Sequence, residues 1–112
     1  MAIAYEFDSV TVGTTELSLV SGTTTLQSVD GFAHRDLLIV GDSLTTSDLF
    51  EVRIYGSPTN THAQIQNGVA IPLRGPNAAL ILPFIRVAYK FDMTIKKVSG
   101  TDRAFSWSIA EP

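Results

Sequence analysis

The sequence predicts an all-β fold: an antiparallel β-sandwich with jelly-roll-like topology and about eight strands. Apolar and polar residues alternate with period two along most of the 112 residues, and turn-forming residues separate the alternating runs. No segment keeps a helical spacing of apolar residues for three turns. Strands with one apolar and one polar face are typical of antiparallel sheets. A small β-barrel needs the same alternation and stays open as the alternative.

The alternating runs follow one another without a long linker, so we expect a single domain spanning residues 1–112. The first run, IAYEFDS, places Ile3, Tyr5 and Phe7 on one face. Asn67-Gly68 separates THAQIQ from VAIPLR, and this dipeptide between apolar-containing runs predicts a tight hairpin. The segment 41–48, GDSLTTSD, predicts a longer connection, with one helical turn as an option. The remaining runs are TELSLV, TTLQSV, FAHRDLLIV, FEVRIY, YKFDMTIKK and RAFSWSI.

The last two runs, Tyr89–Lys97 and Arg103–Ala110, predict a hairpin connected by SGTD. The only tryptophan, Trp107, lies in its second strand. Burying one large apolar side chain contributes about 1.5–3 kcal/mol, so we interpret Trp107 as part of the core rather than as an exposed anchor. Tyr89 begins the inner face of this hairpin. The predicted structural core is Phe91, Met93, Ile95, Phe105, Trp107 and Ile109.

Composition argues against several classes of function. The net charge is −3 and the eight basic residues are scattered, which disfavours nucleic-acid binding. Cysteine is absent, so disulfides and thiolate metal sites are excluded. The N-terminal MAIAYEFDSV lacks the basic region of a signal peptide, and no apolar run has the length of a membrane span. We expect synthesis in a cytoplasm and no membrane partner.

No catalytic signature is present. We therefore expect that the chain is not an enzyme and that it has no cofactor and no metal site. His34 and Asp36 share a strand face, but no nucleophile motif accompanies them, so a surface pair is the simpler interpretation. His62 follows a turn-rich segment. Asp42 and Asp48 bracket an oxygen-rich loop, but the spacing of an EF-hand is missing.

A binding role is the remaining class. Charged residues make up only 17% of the chain, and a surface rich in Thr and Ser suits protein contacts. The stretch TTELSLVSGTTTLQSV has few charges and favours pairing at a sheet edge or burial in an oligomer. A carbohydrate-binding β-sandwich stays open as an alternative, with Tyr55 and Phe32 as its outward aromatic candidates.

Two stretches carry a resemblance to a known group of proteins. They are DLLIVGDSLTTSDLFEVRIYG, residues 36–56, and IKKVSGTDRAFSWSI, residues 95–109. Both resemble small structural proteins of tailed bacteriophages, in particular jelly-roll cement or decoration proteins of the capsid. The residues at the shared positions are Glu51, Arg53, Ile54, Tyr55, Gly100, Thr101, Arg103, Phe105, Trp107 and Ser108.

The resemblance implies a virion protein on the capsid surface, made in the host cytoplasm. Its expected partner is the major capsid protein, and binding between capsid subunits would stabilise the icosahedral head. A homotrimer is the favoured oligomer, because several engaged sites reinforce one another. Another phage component, such as a tail or head-completion ring, is the alternative within this group. The expected capsid or oligomer contacts are Ala2, Ile3, Ala4, Tyr5, Pro58 and Pro76.

Overall fold

The computed structural model describes residues 2–31, 34–87 and 89–111, and within them the regular secondary structure is entirely β. Ten strands occur in this part of the chain. They are β1 (Ala2–Val12), β2 (Leu17–Ser18), β3 (Val29–Asp30), β4 (His34–Gly41), β5 (Leu49–Gly56), β6 (Ile65–Gln66), β7 (Ile71–Arg74), β8 (Ala79–Arg86), β9 (Lys90–Ser99) and β10 (Arg103–Glu111).

The strands form two antiparallel sheets packed face to face. The first has the order β1-β10-β4-β8, and the second has the order β2-β9-β5-β6, with β3 also paired to β9 and β7 also paired to β5. Every strand pairing is antiparallel. The predicted β-sandwich is therefore confirmed, and the two sheets remain separate rather than closing into a barrel.

The strand order is that of a jelly roll. Strands β2 and β3 share one partner, β9, and strands β6 and β7 share another, β5, so the ten strands fill eight positions. The first position pairs with the last, the second with the seventh, the third with the sixth and the fourth with the fifth. This nesting arises when one long antiparallel hairpin wraps around a common core.

The predicted C-terminal hairpin is wrong in its pairing, although its residues face inward. Strand β9 pairs in the second sheet and β10 in the first, so the two face each other across the core. The chain crosses between the sheets at Gly100, whose φ of 95° suits glycine. Tyr89 lies just before β9, half-buried and with a φ of 48°, instead of starting the strand.

The predicted hairpin at Asn67-Gly68 is also wrong. Strands β6 and β7, on either side of this dipeptide, both pair antiparallel with β5 and follow one another along it. Gly68 has a φ of 74°, and the four residues 67–70 bulge out opposite two residues of β5. The left-handed glycine therefore interrupts one strand instead of reversing the chain.

Irregular pairing occurs at both edges of the first sheet. In β1 the register shifts after Ile3 and again between Phe7 and Val10, where Ser9 has a φ of 51°. Because of the first shift, Ile3 does not share the inward face of Tyr5 and Phe7 that the alternation predicted. Ile3 pairs with Ala110 and is exposed, whereas Tyr5 and Phe7 pack on the core. In β8, residues 83–84, which include a proline, bulge opposite a single residue of β4.

The core lies between the sheets and contains the inward residues of both. Trp107 is 3% exposed, donates its indole Nε1–H to the carbonyl oxygen of Leu19 at 2.7 Å, and packs on the Phe7 ring at 5.3 Å. Phe50 and Phe105, from opposite sheets, meet edge to face at 4.7 Å. The residues predicted for the core are all buried: Phe91, Met93, Ile95, Phe105, Trp107 and Ile109.

Candidate interaction surface

The outer face of the first sheet carries three exposed aliphatic side chains, which we call the aliphatic patch: Leu38, Val40 and Ile81. Leu38 is directly paired with Ile81 across β4 and β8, and Val40 lies two residues further along β4. Side chains paired in this way have their Cβ atoms about 4.5–5.5 Å apart. The patch is therefore continuous across two strands.

A shallow trough runs beside the aliphatic patch. Strand β10 lies between β1 and β4, and its outward residues here are the small Ser106 and Ser108. Small side chains on a central strand leave a depression between larger neighbours. The trough has a volume of about 360 Å³, with Leu38 and Val40 on one wall and the carboxylates of Glu6 and Asp8 on the other.

Asp8 is held in place on this wall. Its carboxylate accepts a hydrogen bond of 2.6 Å from the Ser106 hydroxyl, which in turn accepts one from the backbone N–H of Ser9 at 3.1 Å. The bulge in β1 makes this arrangement possible, because it turns the Ser9 N–H toward β10. One wall of the trough is thus acidic and ordered, while the other is apolar.

The second sheet presents a polar outer surface instead. Glu16 accepts hydrogen bonds from the Tyr55 hydroxyl, at 2.7 Å, and from the Thr94 hydroxyl. Arg53 pairs with Glu51 and, more distantly, with Glu16 at 3.8 Å. Burial and the bond to Glu16 raise the pKa of Tyr55. Most of these polar groups pair with one another, although Arg53 Nε is buried without a partner among the described residues. Such a polar face has little to offer an apolar partner.

Asp92 lies on the same face but is fully buried. Its carboxylate accepts hydrogen bonds from the Ser18 hydroxyl at 2.7 Å and from the backbone N–H groups of Gln27 and Met93 at 2.9 and 2.8 Å. Burial raises the pKa of Asp92 despite these bonds. Gln64 donates to the Gln27 carbonyl at 2.9 Å, so the loops that contain these two glutamines together cover the Asp92 carboxylate. Asp92 therefore anchors these loops rather than facing solvent.

Asp48 connects two loops at one end of the sandwich, residues 42–48 between β4 and β5 and residues 100–102 between β9 and β10. It accepts hydrogen bonds from the backbone N–H of Thr45 at 2.8 Å, from that of Thr101 at 2.9 Å, and from Arg103 Nε at 2.9 Å. These bonds, with the Thr101 N–H first, lower the pKa of Asp48 to about 2. Both of its carboxylate oxygens are already used within the protein. Asp42, the other carboxylate of the oxygen-rich loop, is exposed.

The expected contact residues fall at two different ends of the sandwich. Ala2, Ile3 and Ala4 are exposed at the start of edge strand β1, and Tyr5 is half-buried. Pro58 lies two residues after the end of β5, at this same end, whereas Pro76 lies two residues after Arg74, which pairs with the first residue of β5. The fold thus brings Pro58 to the same end as the start of β1 and places Pro76 at the opposite end.

The other residues weighed for chemistry lie apart from the trough. His62 is exposed, and its ring Nδ1 is 2.6 Å from the Ala63 carbonyl oxygen. His34 is exposed at the start of β4, with Asp36 half-buried. Among the described residues, no group of three or more His, Cys, Asp or Glu side chains could share a metal ion. Nor does any helix in that part of the chain have the length and apolar character to cross a bilayer.

The large apolar side chains that stand exposed in the described ranges are all aliphatic. Tyr55 does face outward, but its hydroxyl is bonded to Glu16. Phe32, the other candidate for a carbohydrate platform, lies outside the described residues. Stacking on sugar rings needs exposed aromatic faces. Among the described residues, the exposed large apolar side chains include no aromatic that could join Tyr55 in this role.

Sequence reasoning missed the aliphatic patch. The run DLLIV in β4 has four consecutive apolar residues, of which Leu37 and Ile39 are buried and Leu38 and Val40 are exposed. An outward-facing strand position normally carries a polar residue. The departure from alternation in this run was the signal that could have identified the surface.

Comparisons of the chain with protein-family models, with curated proteins and with solved structures gave no match.

Proposed function

We propose that the chain is a virion structural protein: a capsid cement or decoration protein that docks between major capsid subunits through the outer face of its first sheet. The aliphatic patch is the observation that carries this proposal. Three aliphatic side chains exposed together on one sheet face support a protein contact, because single exposed apolar residues are normal, whereas contiguous apolar patches mark interaction sites as they grow.

The size of the face supports docking at several sites at once. Four strands span about 19 Å, and eight residues of β4 span about 26 Å, which gives a face of about 500 Å². A stable interface buries about 800 Å² on each partner. One such face alone therefore gives modest affinity, and a trimer on a symmetric shell gains by engaging several faces together.

The shell-stabilising role follows from linkage. A protein that binds the assembled shell, but not its free subunits, stabilises the shell by mass action. This role requires a rigid scaffold and a contact surface, and it needs no turnover. The jelly roll supplies the scaffold, and the exposed start of β1 extends the contact surface beyond the patch.

The proposal is tested by binding to particles assembled with and without this chain. Leu38→Asp places a charge in the patch, and Ile65→Asp is the matched control, since the two side chains are 44% and 47% exposed and lie on different sheets. We expect Leu38→Asp to weaken particle binding at least about tenfold. Ile65→Asp should bind like the unchanged chain, and both variants should keep the β-sheet circular dichroism.

Particle stability and imaging separate the alternatives. Particles lacking the chain should release their genome at a lower temperature, and adding purified chain should restore the original temperature. Electron microscopy should show density across the shell. Density at a single vertex would favour a head-completion or tail ring instead, and equal binding by both variants would contradict docking through the patch.

A further inference from the structure

A small polar pocket lies at the end of the sandwich where β5 and β8 finish. Its volume is about 220 Å³, and it is lined by Gly56, Ser57, Pro58, Asn67 and Arg86. None of these residues lines the trough on the first sheet. The pocket is therefore a second, separate feature.

Two of the lining residues are hydrogen-bond donors with unused capacity. Arg86 is exposed at the end of β8 and forms no ion pair with any other described residue. Ser57 is 3% exposed, and its hydroxyl has no hydrogen-bond partner in the described part of the chain. A buried hydroxyl without a partner is unfavourable, so turning the Ser57 side chain toward an acceptor bound in the pocket would be favourable.

The backbone around the pocket is fixed. The N–H of Ser57 donates to the Lys90 carbonyl at 3.0 Å, and that of Asn67 donates to the Ile54 carbonyl at 2.7 Å. The Asn67 side-chain amide packs over Gly56, and its Nδ2 is 2.7 Å from where a Cβ on Gly56 would lie. Glycine at position 56 therefore leaves room for the amide beside the pocket.

The donor set selects one kind of ligand. Among the described residues, the lining has one guanidinium, one amide and one hydroxyl, and it has no carboxylate. A guanidinium binds a planar carboxylate through two parallel hydrogen bonds. A phosphate dianion would retain a negative charge beside a single cation, in a protein whose net charge is −3.

We propose that this pocket binds a carboxylate group, with Arg86 as its charge partner and Ser57 and Asn67 as neutral donors. The carboxylate comes either from an acidic side chain of a docked protein or from a free small organic acid. The proposal does not depend on the capsid role, because acetate binding is measured on the isolated chain.

The test is a titration of the isotope-labelled chain with acetate, followed by nuclear magnetic resonance at constant ionic strength. We expect saturable shifts of the Ser57 backbone amide, the Asn67 side-chain amide and Arg86 Nε. Arg86→Gln should weaken acetate binding about tenfold or more, since it removes a charge-assisted pair. Arg74→Gln is the matched control: Arg74 is also an exposed arginine, but it lies at the opposite end of the sandwich.

A second variant tests the pocket without changing its charge. Gly56→Ala places a Cβ against the Asn67 amide and should weaken acetate binding while Arg86 remains. A capped glutamate peptide that binds more tightly than acetate would identify a protein side chain as the source, and acetate binding as tightly as the peptide would identify a free acid. Absent shifts, equal effects of Arg86→Gln and Arg74→Gln, or inorganic phosphate binding as well as acetate would each overturn the proposal.

Discussion

Replacing Trp107 with phenylalanine tests how much the indole hydrogen bond and the size of this side chain contribute to the stability of the core. The indole Nε1–H is bonded to the Leu19 carbonyl at 2.7 Å, so Trp107→Phe leaves that buried carbonyl without its donor. An unsatisfied buried acceptor costs about 1–3 kcal/mol. The smaller ring also leaves a void of about 40 Å³, which costs about 1 kcal/mol at the usual penalty per unit of cavity volume. We therefore expect the free energy of unfolding to fall by about 2–4 kcal/mol.

Urea unfolding followed by far-ultraviolet circular dichroism measures this loss, because the variant lacks the only indole fluorophore. Ile39→Val is the control: Ile39 is fully buried, and its truncation opens a void without removing a hydrogen bond. We expect the control to lose about 1 kcal/mol, with an unchanged denaturant slope in both variants. A loss for Trp107→Phe no larger than that of the control would refute the role assigned to the indole N–H.

Two further predictions concern the loops at the end of the sandwich that contains Asp48. Since the folded protein lowers the pKa of Asp48 from 3.8 to about 2, its contribution to stability is present above about pH 4 and is lost as the pH falls toward 2. Urea unfolding across this range should show less pH dependence in Asp48→Asn, and an unchanged pH profile would contradict the assignment. Gly75→Ala should cost about 3 kcal/mol or more, because its Cβ would lie 1.9 Å from the Thr45 carbonyl oxygen. Gly68→Ala, which meets no atom within 4 Å and carries only backbone strain, should cost about 1 kcal/mol, and equal losses of stability would argue against the steric reason.

Local pattern predicted the fold class and the inward faces, but it did not predict which strands pair. Alternation in β9 and β10 identified the buried aromatics, because side-chain direction depends only on neighbouring residues. Whether β9 pairs with β10 depends instead on how the whole chain wraps, and the structure separates the two strands into different sheets. The Asn67-Gly68 pair carries the same ambiguity, since a left-handed glycine suits a bulge as well as a turn.

The candidate surfaces were harder to predict than the core. Asp92 and Thr94 occupy outward positions, yet both are buried, since remote segments cover them. Leu38 occupies an outward position and remains exposed. Outward strand positions can thus be either buried or exposed. The alternation within a strand does not predict whether a distant loop covers an outward residue. The pocket at Arg86 likewise depends on residues from three separated segments.

The irregular margins of the first sheet have a consequence for how the chain behaves at high concentration. Register shifts interrupt β1, and Pro83 lies within the bulge of β8, so neither margin offers a long, regular row of backbone groups to an incoming strand. A sheet with such margins resists fibril growth even though part of its outer face is apolar. We expect concentrated solutions to form at most small, reversible clusters, and the chain can thus be made in large copy number without being lost to amyloid-like deposits.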